Sequence, residues 1–113
     1  QLARTAARLY NCTFFITGKT DVVSDGEQTI FLDGGDPRLC RITGGGCMLS
    51  ALCALFCCSG ASAFEAASTA GQLWKEISEE AGKRTDQNGG GIGQFHMSLM
   101  DMTEQKIYFS AYS

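Results

Sequence analysis

Three consecutive glycines, Gly44, Gly45 and Gly46, restrict this chain more than any other feature of its sequence. Before them, Leu39-Cys40-Arg41-Ile42-Thr43 reads as a strand. After them, residues 47–58 follow a helical pattern that is apolar nearly all round, so a buried helix is expected, closed by Gly60. Three physical effects converge at such a junction. Glycine permits positive φ and close approach of a ligand to the backbone. The first helical turn presents N–H groups without intrahelical partners. The helix dipole places about half a positive charge at that end. Together they make an anion site suited to phosphate. A plain tight turn from strand to helix would use the same residues, and the glycines alone do not separate the two readings.

The surrounding pattern predicts a layered α/β domain. Leu2, Ala6 and Leu9 fall on one helical face, as if the chain opened inside a helix already under way. Residues 12–17 form a short apolar run rich in strand formers, expected to be buried on both faces. Val22-Val23-Ser24 and residues 28–32 flank Asp25-Gly26, a strong hairpin signal. Residues 33–37 carry the glycines and proline of a loop. Ser62 and Glu65 form a capping box that opens a helix running to about Arg84. Its apolar stripe comprises Phe64, Ala67, Gly71, Trp74, Ile77 and Ala81, and Lys83 and Arg84 suit the negative end of its dipole. A glycine-rich loop, residues 86–93, leads to a last helix with Phe95, Leu99 and Met102 on one side. Residues 106–113 read as a strand or as disorder.

Composition narrows the function. With 113 residues, 44% of them hydrophobic, the chain supports one small domain. A net charge of −3 with scattered basic residues argues against a nucleic-acid surface. No apolar run is long enough to cross a membrane as a helix. The six cysteines contain no C-x-x-C pair and the one histidine, His96, is distant in sequence. They are expected to be reduced thiols in a cytoplasmic protein. Cys53 and Cys57 are expected to be inert packing within the apolar helix.

Cys47 stands apart. In the first turn of a helix a thiolate is stabilised, and the thiol pKa is expected below its ordinary value. Beside a bound phosphate, that is where a general base for a substrate hydroxyl belongs. The segment is neither familiar phosphate loop. A Walker A motif needs Lys and Ser or Thr after the last glycine, where Cys47 and Met48 stand. The dinucleotide fingerprint needs a third glycine where Leu49 stands.

Thr13-Phe14-Phe15-Ile16-Thr17-Gly18, then Asp21-Val22-Val23-Ser24-Asp25-Gly26, then Ile42-Thr43-Gly44-Gly45-Gly46-Cys47-Met48-Leu49-Ser50 resemble the hydroxyethylthiazole kinases of thiamine biosynthesis and salvage, members of the ribokinase-like superfamily. The resemblance continues through Ala70-Gly71 and residues 91–95. It implies ATP- and magnesium-dependent phosphorylation of the hydroxyl of 4-methyl-5-(2-hydroxyethyl)thiazole. It implies that Cys47 is, or lies near, the catalytic base. Gly44, Gly45 and Gly46 match the anion hole, Gly44 also matches the glycine at the substrate, and Thr17 matches the threonine that contacts ATP. The protein's part in such a transfer is to position groups and stabilise charge. Two positions depart from the family pattern. Gly45 stands where Thr or Ala is usual, and Lys19 where an acidic residue is usual.

The resemblance covers only the C-terminal half of such a kinase, so residues 1–113 are expected to be one partial domain. The other half supplies most of the substrate pocket, the magnesium carboxylates and a nucleotide-contacting arginine. The resemblance also implies trimers with sites between subunits, so a homo-oligomer or pairing with the missing half is expected. The rival class is a non-catalytic nucleotide-binding or oligomerising module, and a thiol-based metal or redox protein is a third. Among the other candidates, His96 reads as a surface or packing residue. Asp33, Asp36 and Asp86 read as turn residues. Glu76, Glu79 and Glu80 read as a solvated face with Lys83 and Arg84 as partners. Met97, Met100 and Met102 read as core, as does Trp74.

Overall fold

A computed structural model describes residues 2–112, and the side chains of residues 2–107. The order is α1 (Leu2–Tyr10), β1 (Phe14–Ile16), β2 (Asp21–Ser24), β3 (Thr29–Leu32), a 3-10 turn (Pro37–Arg41), α2 (Gly45–Cys57), α3 (Ala63–Gln87) and α4 (Ile92–Tyr112). The architecture is the α/β sheet with flanking helices that the sequence predicts. The three strands form one antiparallel sheet in the order β1-β2-β3.

The hairpin forms as expected, with Ser24 opposite Thr29. Asp25 makes the loop: its Oδ1 accepts from the amides of Glu27 and Gln28 at 2.9 and 2.7 Å. Those amides, Gln28 first, hold the exposed Asp25 carboxyl below its ordinary pKa. Gly26, at φ +99°, lies against Arg8, whose Nε donates to the Gly26 carbonyl at 2.8 Å. α1 is thereby tied to the hairpin.

The packed face of α1 is not the one its leucines mark. Ala3 and Ala7 are buried, while Leu2 and Leu9 are 75% and 74% exposed. Two alanines four residues apart let the helix approach the hairpin closely, and larger side chains turn outward. α1 ends at Asn11, in the left-handed region at φ +52°, with the Cys12 amide donating back to the Ala7 carbonyl. The run after it is half-buried rather than covered on both faces, because β1 is an edge of the sheet among the described residues.

Residues 39–43 are not a strand. Asp36 accepts from the Arg38 amide at 2.9 Å and Pro37 stands at the first turn, so the chain coils into the 3-10 turn. Aspartate before proline is a helix-start signal, and here it overrides the apolar pattern that follows.

α3 is the central beam. Ser62 caps it, accepting from the Glu65 amide at 3.1 Å. On one side Gly71 lets Phe15 and Leu32 of the sheet lie directly on the helix. On the other, Trp74, Ile77 and Ala81 meet Leu49 and Leu52 of α2 and Phe95, Leu99 and Met102 of α4. Each large side chain so buried contributes about 1.5–3 kcal/mol before entropy is counted. α2 is covered on one side only: Leu49 and Leu52 are buried, whereas Leu55 is 48% exposed and Cys57 is exposed too. Among the described residues only one helix face finds neighbours, so the expectation of a fully buried helix fails. Met97 and Met100 likewise face outward, unlike Met102. Residues 106–112 continue α4, and Ser113 lies outside the described residues.

Candidate active site

The glycine run begins α2 directly. Gly44 is its N-cap in the left-handed region, φ +87° and ψ 1°, which a side chain would resist. Met48 is the first residue to donate within the helix, to the Gly44 carbonyl at 2.9 Å. The amides of Gly45, Gly46 and Cys47 precede it, so the helix offers them at its positive end. Space differs along the run. A Cβ at Gly45 would touch the Leu39 carbonyl and Ile42, whereas one at Gly44 or Gly46 would meet nothing within 4 Å. Cys47 is exposed in the first turn, and Ser50 Oγ donates to the Gly46 carbonyl at 3.0 Å.

Opposite this helix start, the chain leaves β1 through Thr17 and Gly18. A cavity of about 380 Å³ lies between the two, lined by Thr17, Gly18, Asp21, Gly45, Gly46 and Lys75 over a floor of Leu49 and Trp74. Thr17, Gly45 and Gly46 are therefore brought together. Gly44 and Cys47 are not on the cavity wall. They sit on the same helix start, toward solvent. A neighbouring cavity of about 550 Å³ is bounded by residues 18–20 and 33–37 and shares Lys75 with the first.

Two residues that sequence reasoning did not single out as site residues dominate the polarity here. Lys75 Nζ pairs with Asp21 Oδ2 at 3.2 Å, and both side chains are buried, 9% and 8% exposed. The Gly18 amide donates to Asp21 Oδ1 at 2.9 Å. Lys75 falls on a second face of α3, with Gly71, Ser78 and Gly82 at helical spacing. That small-residue stripe is the sequence signal that marks it as inward-facing.

Lower down, Arg38 joins Asp36 at 2.9 Å and Asp86 at 3.1 Å, with its guanidinium 5.2 Å from the centre of the Phe95 ring. Burial works to raise the Asp36 pKa, but hydrogen bonds from the Arg38 side chain and amide, with its charge, outweigh burial and leave it below the ordinary value. Glu79 is not paired with the helix cations as expected. Its Oε1 accepts from the Gly35 amide at 3.3 Å. Asp33 accepts from Thr20 Oγ1 at 2.7 Å, a side-chain contact to the loop after β1 rather than a bond within its own turn. His96 is half-buried on α4.

All six cysteines are free. Cys53 is half-buried, and burial, with Cys57 nearby, raises its pKa above the usual thiol value. Among the described residues no three His, Cys, Asp or Glu side chains gather as a metal site, and no helix is long and apolar enough to cross a membrane.

The sequence model of the hydroxyethylthiazole kinase family matches residues 1–107. A hydroxyethylthiazole kinase of Clostridium beijerinckii is 39% identical over 101 residues, covering 88% of this chain and 36% of the relative. One from Escherichia coli O6:K15:H31 is 32% identical over 103 residues, covering 91% and 39%. The solved structure of the hydroxyethylthiazole kinase protein of Pyrococcus horikoshii OT3 superposes with a TM-score of 0.65 at 34% identity, covering 89% of this chain and 38% of that one. The chain thus spans little more than a third of the length of these relatives.

Proposed function

The chain belongs to the hydroxyethylthiazole kinase family, and from that premise we propose that the protein carrying it transfers a phosphoryl group from ATP to the hydroxyl of 4-methyl-5-(2-hydroxyethyl)thiazole. The observation that carries the reading is local. A helix begins on three glycines, two of them line a cavity with Thr17, and a thiol stands in the same first turn.

The chemistry divides among these residues. Thr17, on the opposite wall, contacts the nucleotide. The amides at Gly44, Gly45 and Gly46 steady charge on the transferring phosphoryl group, and Gly44 also borders the thiazole alcohol. Preorganised backbone donors of this kind suit phosphoryl transfer, where little covalent work falls to the protein. Cys47 takes the proton of the substrate hydroxyl as the oxygen–phosphorus bond forms and the bond from the γ-phosphorus to the departing ADP breaks.

The residues present fit a phosphate but not magnesium. Asp21, the one carboxylate on the smaller cavity, is committed to Lys75 and the Gly18 amide. We place the metal's carboxylates in the part of the relatives beyond this chain, and no step is routed through the ion here. A homo-oligomer, or assembly with that remaining part, completes the pocket. A cytoplasmic setting follows from the same metabolic role.

The test is turnover. Full-length protein should convert the thiazole alcohol to its phosphate with ATP, and Cys47→Ala should lower kcat about a hundred-fold or more. Wild-type rates in that variant would remove Cys47 from the mechanism. The isolated 113-residue chain should show no turnover, and ATP-dependent phosphorylation by it would contradict the division of labour proposed.

A further inference from the structure

We propose that Lys75 is a positioning residue of the nucleotide-facing wall, holding residues 17–20 and 33–36 in one fixed arrangement; this rests on the kinase reading above. The lysine is anchored on α3 and reaches both the start of β2, where the 17–20 loop ends, and the 33–36 loop. Its ammonium meets Asp21 Oδ2 at 3.2 Å and donates to the Gly34 carbonyl, also at 3.2 Å. Asp21 passes the restraint on, since its other carboxylate oxygen accepts from the Gly18 amide at 2.9 Å, next to Thr17. The stem of Lys75 lies under the second loop: a Cβ at Gly35 would touch its Cγ and Cδ at 3.5 Å. One side chain therefore sets the separation of the two loops that bound the larger cavity, and it borders the smaller one as well.

Net stability is a weak reason for keeping this pair. Taking an ammonium and a carboxylate out of water costs several kcal/mol per ion, and well-packed apolar residues at such positions are often as stabilising or more so. What an apolar pair cannot supply is direction. The 17–20 loop follows a strand of only three residues, and the 33–36 loop contains Gly34 and Gly35 at φ +92° and +86°. Both are segments whose backbone has little regular structure to fix it. Charged hydrogen bonds from a rigid helix hold them where packing alone would leave several arrangements open.

The experiment compares full-length wild type with Lys75→Met, Lys75→Arg and Asp21→Asn, by amide hydrogen exchange and by steady-state kinetics. Lys75→Met should speed exchange selectively in peptides spanning 17–20 and 33–36 and leave α4 peptides unchanged. It should raise KM for ATP about tenfold with kcat and KM for the alcohol little changed, the pattern of lost uniform binding. Lys75→Arg should recover part of the loss. Unchanged exchange in both loops, a general rise across all segments, or a fall in kcat at constant KM for ATP would each overturn the proposal. If Lys75→Met does not fold, Asp21→Asn must show the same loop-selective exchange, and its failure to do so overturns the proposal equally. Absence of ATP-dependent turnover in the wild type would refute the kinase reading, while the exchange comparison would still decide the role of Lys75.

Discussion

Gly82 lies directly beneath the carboxylate of Asp36, so that a methyl group built on the helix there would fall on Asp36 Oδ2. The 3-10 turn is seated on α3 through this contact, the Asp36 amide donating to Ser78 Oγ at 3.0 Å one helical turn away. Gly82→Ala would have to displace the Asp36 carboxylate and disturb its pair with Arg38, or lift the turn off the helix. We expect a loss of about 1–3 kcal/mol, as for other overpacked sites, measured by chemical denaturation. Unchanged stability would show that the turn is free to shift.

Gly71→Ala should be damaging for a different reason. Its methyl would come within 2.6 Å of Leu32 Cδ1 and 2.7 Å of Phe15 Cε2, both side chains of the sheet. Relief requires swinging both side chains out of their packed positions or moving sheet from helix, so a loss of about 1–3 kcal/mol is again expected. If the sheet does shift, Thr17, which follows β1, moves with it, and KM for ATP should rise as well. A destabilised variant with wild-type KM would separate the site from the sheet–helix contact.

How much of this was legible beforehand depends on which physical signal each segment carries. The α3 stripe from Ala67 to Ala81 and the Phe95, Leu99 and Met102 face of α4 were readable because helical periodicity reports burial directly. The hairpin was readable from Asp25-Gly26, and the helix start at the glycines from their own chemistry. The strand expected at 39–43 failed because five apolar-rich residues carry no period long enough to outweigh the Asp36-Pro37 start signal. Lys75 was missed because a lysine is by default a surface residue, almost never buried unless paired. Its partner Asp21 is 54 residues away in sequence, and only the fold brings the two together. Leu2 and Leu9 misled in the opposite sense, since close approach selected the alanines beside them.

The glycine run should respond unevenly to alanine. At Gly44 the backbone is left-handed, and an L-residue there costs about 1–2 kcal/mol. At Gly46 nothing would touch the added methyl, and alanine should be neutral or stabilise by up to about 1 kcal/mol. Thermal melts of the two variants should therefore move in opposite directions or differ clearly. Equal losses would mean that Gly46 is held by something other than its own backbone.

Asp36 gives the fold an acid limit. Its folded pKa is depressed, so the unfolded chain binds its proton more readily, and unfolding takes up a proton in acid. The contribution is complete above the unfolded carboxylate value of about 3.9 and is lost as pH falls through the lower folded value. Melting temperature should thus hold near neutrality and decline below about pH 4. Asp36→Asn, which keeps an acceptor for the Arg38 amide but loses the ion pair, should flatten part of that decline. An identical acid profile in the variant would assign the loss to other carboxylates.

The thiols of α2 should separate by reactivity. Cys53 is half-buried, and its pKa is raised chiefly by that burial and further by Cys57 one turn along. Cys47, Cys57 and Cys58 are exposed on the same or the adjoining segment. Alkylation proceeds through the thiolate and needs access to it, so at mildly basic pH the half-buried Cys53, with its raised pKa, should be the slowest of the four. Mapping iodoacetamide adducts by mass spectrometry over time measures this directly. Should Cys53 react as fast as Cys57, the helix face carrying it is open to solvent. The packing of α2 against α3 through Leu49 and Leu52 would then be looser than the structure shows, and the glycine-started turn that α2 presents to the cavity would share that looseness.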